Sequence, residues 1–476
     1  MDLKLSQINT FFIIFTALLP LQLTLRLFLH LPSFLMLIYI FLICSIFFLL
    51  FIYFIHPINI KISCLQKNTI IIFAIFFFEM VISVLFNYNN ILEQNIPFIY
   101  YTNKYSKFWD SPVMSSLFAG IIRPLVYFSF VFIMYFFLKK EIHLRKLCKY
   151  LIIIGFFSSL YSIYQVIAFR FGLPFSSVFS GHNGEIIEAF GVRRCEGLLY
   201  EPGPQATYLS VIFSIILFQL FGYKKTDNFF SKRTLLIMFI PITITLFLTL
   251  SPIGILTPFI AILFFIVVKW KSLSKKLHLT IISIVITLFL SLSYIGNLGN
   301  NNISIVTYLI GRISNLNSNK EIVWGDHRSV RNEIGWKIFN NHKLLGVGAG
   351  NDGFYYSKYA PYAIGNLPDK GVVINNNLKI LTDSGILGFI CYLIILLYPL
   401  YFYIKKQLFK FPNNIWLSNL IYSLFLSELL FVILTFNAQV EFFQPLFWIT
   451  YSMLICSLSI QNYNKKNNSH LYKKVI

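Results

Sequence analysis

Apolar runs of about 17 to 26 residues recur from one end of the chain to the other, each long enough to cross a hydrocarbon core of about 30 Å. Twelve are read, at roughly 11–29, 33–55, 69–86, 113–138, 150–168, 204–222, 234–250, 252–268, 277–294, 377–403, 415–436 and 444–460. The expected fold is an all-α polytopic transmembrane bundle, with residues 1–476 forming a single integral membrane domain. Composition agrees: 57% of residues are hydrophobic and only 12% charged, where a soluble domain carries about 25% charged residues. Phe11–Leu29 is followed at once by a second apolar run, so it is read as a retained first helix and not as a cleaved signal.

The net charge of +21 would suit nucleic acid, but its distribution argues against that partner. The short segments KISCLQK, KKEIHLRKLCK, KKTDNFFSKR, KWKSLSKK, KKQLFK and NKKNNSHLYKK alternate with the spans, and inner segments hold 23 of the 39 Lys and Arg. Basic residues in short loops mark the cytoplasmic side, so both termini are expected there. Residues 234–268 would measure roughly 52 Å as one helix, too long for one crossing, which predicts a tight hairpin around Ser251-Pro252.

Six cysteines give no disulfide framework: Cys44, Cys391 and Cys456 lie in spans, Cys64 and Cys148 face inward, and Cys195 alone faces outward. There is no CxxC, HExxH or GxxxxGK[ST], so no metal or other cofactor is implied. GVGAGN follows no strand of a βαβ unit and is read as a tight turn, not a dinucleotide fingerprint.

The polar mass lies outside, in segments of about 87–112, 169–203 and a long one, 295–376, so chemistry is expected at the outer surface with a pre-activated substrate. GVRRCEGLLYEPGPQATYL sets Arg193, Arg194, Glu196 and Glu201 at the mouth of the sixth span, where Pro202 and Pro204 suit a first helical turn. Free N–H groups and two arginines favour an anion there; contact with lipid headgroups is the alternative. The long segment carries Arg328, Arg331, Lys337 and Lys343 on a stretch, 328–341, expected to form a helix lying on the membrane. Snorkelling to the interface competes there with phosphate recognition. Glu79, Arg123 and Glu428 lie within spans at matching depths, so a Glu79–Arg123 pair or a cavity role is expected. Lys379 and Asp383, four apart, are expected to pair along a helix face.

These residues resemble the bacterial O-antigen polymerase and O-antigen ligase superfamily of membrane glycosyltransferases. The resemblance rests on Arg194-Cys-Glu-Gly197 with Glu201-Pro202, on Arg328 or Arg331 followed by Gly346-Val-Gly348, and on Asn375-Asn-Asn-Leu378 followed by Asp383-Ser-Gly385-Ile-Leu-Gly388. Motifs cover about 185–390, topology the whole chain. It implies a GT-C-like bundle of about twelve spans with one large late periplasmic loop, in the bacterial inner membrane. It also implies transfer between undecaprenyl-pyrophosphate-linked oligosaccharides, in contact with membrane lipid and alongside a flippase and a chain-length regulator. Arg193, Arg194, Arg328, Arg331, Asn375 and Arg123 would bind substrate; Glu201 or His342, with Arg194, would act in catalysis. The family's His before Asn is Ile374 here, which points away from ligase and towards polymerase and leaves the general base open between Glu201 and His342. A capsule polymerase, a lipid-linked sugar flippase without covalent chemistry and a structural partner of an export complex are the alternatives; no internal repeat supports a transporter.

A reporter active only outside the cytoplasm should give signal when fused near residue 350 and none after residue 408. Silence at the first site with signal at the second would overturn this topology.

Overall fold

A computed structural model describes residues 2–21, 38, 40–46, 62–92, 117–174, 188–189, 192–199, 201–221, 230–269, 327–359, 373, 375–408, 415–435 and 444–475. The expected span 277–294, most of 33–55, part of 11–29 and Ile374 lie outside them, as do the side chains of Arg193 and Arg328. The main helices are α1 (Asp2–Leu18), α2 (Cys64–Phe86), α3 (Arg123–Phe137), α4 (Glu141–Phe171), α5 (Pro202–Phe221), α6 (Lys232–Leu248), α7 (Pro252–Lys269), α8 (His327–Asn341), α9 (Asn376–Lys405), α10 (Ile415–Leu430) and α11 (Pro445–Val475). A small antiparallel ribbon, β1 (Glu188–Ala189) with β2 (Val192–Arg193), is the exception to an otherwise helical architecture among the described residues. Seven helices there are long and apolar enough to cross a membrane: Cys64–Phe86, Gly120–Phe137, Glu141–Phe171, Pro202–Phe221, Pro252–Lys269, Asn376–Lys405 and Ile415–Leu434.

α5 is the axis of the bundle. From Gln205 to Leu220 every residue is buried, enclosed by α4, α6, α7 and α10. The surrounding helices instead turn Ile75, Phe78, Ile82, Ile237, Leu263, Val267 and Leu397 outward. An apolar perimeter of this extent matches acyl chains and not water. The hairpin expected around Ser251-Pro252 is present, α6 ending at Leu248 and α7 starting at Pro252.

Two boundaries differ from expectation. KKEIHLRKLCK is not wholly a loop: α4 begins at Glu141, where Arg145 pairs with Glu141 one turn away at 2.6 Å and Leu144 and Leu147 are buried. The expected span 377–403 is not one straight crossing. Gly385 interrupts α9 with φ 65° and ψ −163°. Tyr392 Oη donates to Asn377 Oδ1 at 2.9 Å across 15 residues, a separation that unbroken helix would stretch to about 22 Å. The half-helix Asn376–Ser384 therefore folds back sharply against the remainder of α9.

Side-chain contacts define the two ends of the bundle. At one, Lys146 donates to Thr10 (3.0 Å), Asn9 meets His143 (3.0 Å), Ser63 meets Ser459 (2.9 Å), Lys465 donates to the Lys406 carbonyl (2.6 Å) and Arg145 lies over Trp416. At the other lie the end of α2, the turn between α6 and α7, and the start of α9. The basic residues described there thus lie opposite Arg194 and the start of α9.

Gly346 has φ 66°, and a Cβ there would strike the Thr382 carbonyl and the Asp383–Ser384 peptide. Gly346→Ala should therefore destabilise the protein by more than the roughly 1–2 kcal/mol of a left-handed alanine alone. Gly203→Ala, where a Cβ meets nothing within 4 Å, should melt within a degree or two of the parent. Equal melting of the two variants would refute the close docking.

Candidate functional site

Two polar clusters stand at the end of the bundle opposite the basic residues. The first is the strand of chain 194–199 entering α5. In an apolar interior each of its N–H groups needs a partner, and the helices supply them. Gln165 Oε1 on α4 accepts from the N–H groups of Glu196 (3.2 Å) and Gly197 (2.9 Å), and Ser158 Oγ accepts from that of Leu198 (3.1 Å). Ser158 donates onward to Gln205 Oε1 (2.9 Å), and Gln205 Nε2 donates to Ser162 (3.2 Å). Gly197, at φ 62°, sits against the Gln205 amide with no room for a Cβ.

This cradle fixes the flanking charged residues. Arg194 Nε donates to the Thr249 carbonyl at 3.0 Å and the Cys195 N–H to that of Leu248 at 3.2 Å, so the chain is pinned to the turn between α6 and α7. Burial pushes the Cys195 thiol up to about 12, which keeps it protonated and unreactive. Glu201 stands immediately before α5 and its carbonyl accepts the Gln205 N–H (3.1 Å), with Pro202 in the first turn as expected. Arg193 falls in β2 opposite Glu188 in register.

The second cluster joins α8, the glycine loop 342–351 and the half-helix of α9. The expected helix over 328–341 is present as His327–Asn341; it buries Ile334 and Ile338 against Val347 and Tyr355 and leaves Trp336 half exposed. Arg328 lies in its first turn. Arg331, one turn on, is half-buried, and its Nε–H has no hydrogen-bond partner among the described residues. Gly346, Gly348 and Gly350 all have positive φ, the tight turn read from the sequence.

That loop repairs the interrupted helix. The Val347 N–H donates to the Thr382 carbonyl (2.9 Å), the Ile386 N–H to that of Lys343 (2.9 Å) and the Leu387 N–H to that of Leu344 (3.4 Å). α2 and its cap close the arrangement: the Ser83 hydroxyl has the carbonyls of Leu345 and Asp383 (3.0 Å) in reach of its one proton, and Asn87 Nδ2 donates to that of Gly346 (3.1 Å). An ionic group lies beside it. Lys379 Nζ is 2.9 Å from Asp352 Oδ1 and 3.4 Å from Asp383 Oδ2, while Asp352 Oδ2 accepts the Val373 N–H (3.0 Å). The Lys379–Asp383 pair was expected; Asp352 was not.

The remaining expected residues stand as follows. Asn375 caps α9, its Oδ1 accepting the N–H groups of Asn377 (3.0 Å) and Leu378 (3.1 Å), which commits that oxygen to structure. Arg123 opens α3, away from both clusters in sequence. Its expected pairing with Glu79 is not formed. Among the described residues, Glu79, buried on α2, has no hydrogen-bond partner for either carboxyl oxygen and lies against Gly388 instead. His342 follows α8, its Nε2 3.5 Å from Tyr359 Oη and its ring edge-on to Tyr355. No described hydrogen bond or ion pair joins Arg194 or Glu201 to Arg331 or His342.

Among the described residues no group of three or more His, Cys, Asp or Glu is arranged to hold a metal. Sequence reasoning missed Ser83, Asn87, Ser158, Ser162, Gln165 and Gln205; the signal available was polar residues spaced three or four apart inside apolar runs.

The family model described as O-antigen ligase matches residues 234–393, from α6 into α9, a stretch that includes the whole second cluster. No curated protein matches this chain. The match supports the O-antigen ligase and polymerase superfamily, a family of multi-pass membrane enzymes acting on lipid-linked oligosaccharides.

Partial burial, and secondarily the charge of Lys358, hold the His342 pKa below the ordinary 6.5. The imidazole is then neutral at pH 7 and protonates only at a pH below that value. The midpoint for modification of His342 by diethyl pyrocarbonate should lie under 6.5 and rise in Lys358→Ala. A midpoint above 6.5 in the parent would contradict this.

Proposed function

We propose that this chain is a polymerase of lipid-linked oligosaccharide repeat units, working at the periplasmic face of the bacterial inner membrane. The observation that carries the reading is the family match over 234–393 falling on Arg331, His342 and the glycine loop, at the end of the bundle away from the basic segments. In this reading the bundle is GT-C-like with twelve spans and both termini in the cytoplasm. The 169–203 and 295–376 loops lie in the periplasm.

The reaction joins two undecaprenyl-pyrophosphate-linked oligosaccharides. A hydroxyl oxygen of one bonds to the anomeric carbon of the other, the bond from that carbon to the pyrophosphate oxygen breaks, and the hydroxyl proton goes to a base. The donor is already activated, so no nucleotide is required. The enzyme must hold two lipid-linked chains, stabilise the departing diphosphate and take one proton. Arg193, Arg194, Arg328 and Arg331 suit the diphosphate, because a guanidinium fork matches phosphate oxygens bidentately. The resemblance also assigns Arg123 and Asn375 to the substrate-binding set; Asn375 stands at the start of α9, which it caps.

For the base, two residues compete. Glu201 stands close to Arg194 in sequence, and a neighbouring guanidinium weakens a carboxylate as a proton acceptor. His342 is neutral at pH 7 by virtue of burial and Lys358. A ligase reading is favoured by the description of the matching family; Ile374, where the family's histidine would stand, supports polymerase. A flippase and a chain-length regulator are the expected partners.

Arg194→Ala and Arg328→Ala should each slow elongation about tenfold to a hundredfold, from loss of a charged hydrogen bond of about 1.5–3 kcal/mol. Lysine should restore little. Ladders of lipid-linked product made by purified protein measure this, at equal protein levels for Glu201→Gln, His342→Ala and Ile374→Ala. Wild-type ladders from His342→Ala would remove the imidazole, and transfer to an acceptor without elongation would replace polymerase by ligase.

A further inference from the structure

On α2, Glu79, Ser83 and Asn87 stand at intervals of four and share one helix face. That face meets the interruption of α9: Glu79 at Gly388, Ser83 at Asp383 and Leu345, Asn87 at Gly346. Ser83 and Asn87 are buried, and both donate to backbone carbonyls of other segments. Asn87 Nδ2 divides its two protons between the Ser83 carbonyl of its own helix (2.8 Å) and the Gly346 carbonyl of the loop (3.1 Å). Ser83 Oγ lies within reach of a loop carbonyl and a half-helix carbonyl at once.

We infer that Ser83 and Asn87 are positioning residues for the active site, resting on the functional reading above. They lie well outside the family match. They fix the glycine loop against the half-helix of α9, and the loop is continuous with His342 and α8, hence with Arg331. Three consecutive loop carbonyls, those of Lys343, Leu344 and Leu345, are taken by α9 or α2, and the Gly346 carbonyl by Asn87. Loss of the α2 donors leaves two of these four attachments unmade, those of the Leu345 and Gly346 carbonyls. The loop gains freedom, and the groups it carries are held less often in the reactive geometry. A displacement of about 1 Å is enough to cost rate without costing binding. The expected signature is therefore a fall in kcat with little change in KM.

The test uses the full-length protein in lipid nanodiscs, with amide hydrogen exchange and elongation kinetics on the same samples. Asn87→Asp keeps the shape and removes the donor; Ser83→Ala removes the hydroxyl. In each, amides of 344–350 should exchange about tenfold faster, with those of α4 and α5 unchanged, and kcat should fall about tenfold with KM within twofold. Unchanged exchange in the loop, or faster exchange spread evenly through the bundle, would overturn the assignment. Faster loop exchange in a protein whose parent elongates nothing would keep the loop assignment and overturn the polymerase reading instead.

Discussion

Backbone hydrogen bonding in an apolar medium governs the candidate site. A helix can cross acyl chains because each N–H and C=O is paired within it, and a break exposes groups that lipid cannot satisfy. Gly385 makes such a break in α9. Intact helix would give the Ile386 N–H to the Thr382 carbonyl; here the first goes to Lys343 and the second receives Val347. The loop is therefore a splice in the helix. Only glycine allows the approach, since a Cβ at Gly346 would meet the backbone of 382–384 and one at Gly385 would meet that of 344–345. From this splice follow the fold-back of Asn376–Ser384, the seat of α8 upon it through Gly335, and the place of His342.

The first cluster obeys the same rule with different means. There the irregular chain is short, and side-chain amides and hydroxyls from α4 and α5 take the place of backbone partners. Gln165 serves two N–H groups and is buried at 1% exposure, an arrangement that holds one conformation because each alternative strands a polar group. Arg194 then projects from a scaffold that is rigid on both sides, tied to α4 through Gln165 and to the α6–α7 turn through Thr249.

The sequence made the helical class, the hairpin at Ser251-Pro252, the helix after His327 and the turn at GVGAGN readable, because each depends on a local signal: length of an apolar run, proline at a helix start, glycine spacing. The fold-back at Gly385 was not readable. A glycine within an apolar run is common in membrane helices, and nothing local says that a loop forty residues earlier will complete it. Asp352 was hidden for the same reason, since its link to Lys379 spans 27 positions. Glu79 shows the opposite failure. Matching depth suggested Arg123 as its partner, but depth fixes only one coordinate and the helix face decides the contact; that face is turned to α9.

The family match ends at residue 393 and begins at 234, yet the residues that close its site come from elsewhere in the chain. Ser83 belongs to α2 and Asn87 caps it, and Arg194 reaches the matched part through the Thr249 carbonyl. The matched region supplies the broken helix, the loop and α8; the rest supplies donors to the loop's buried backbone.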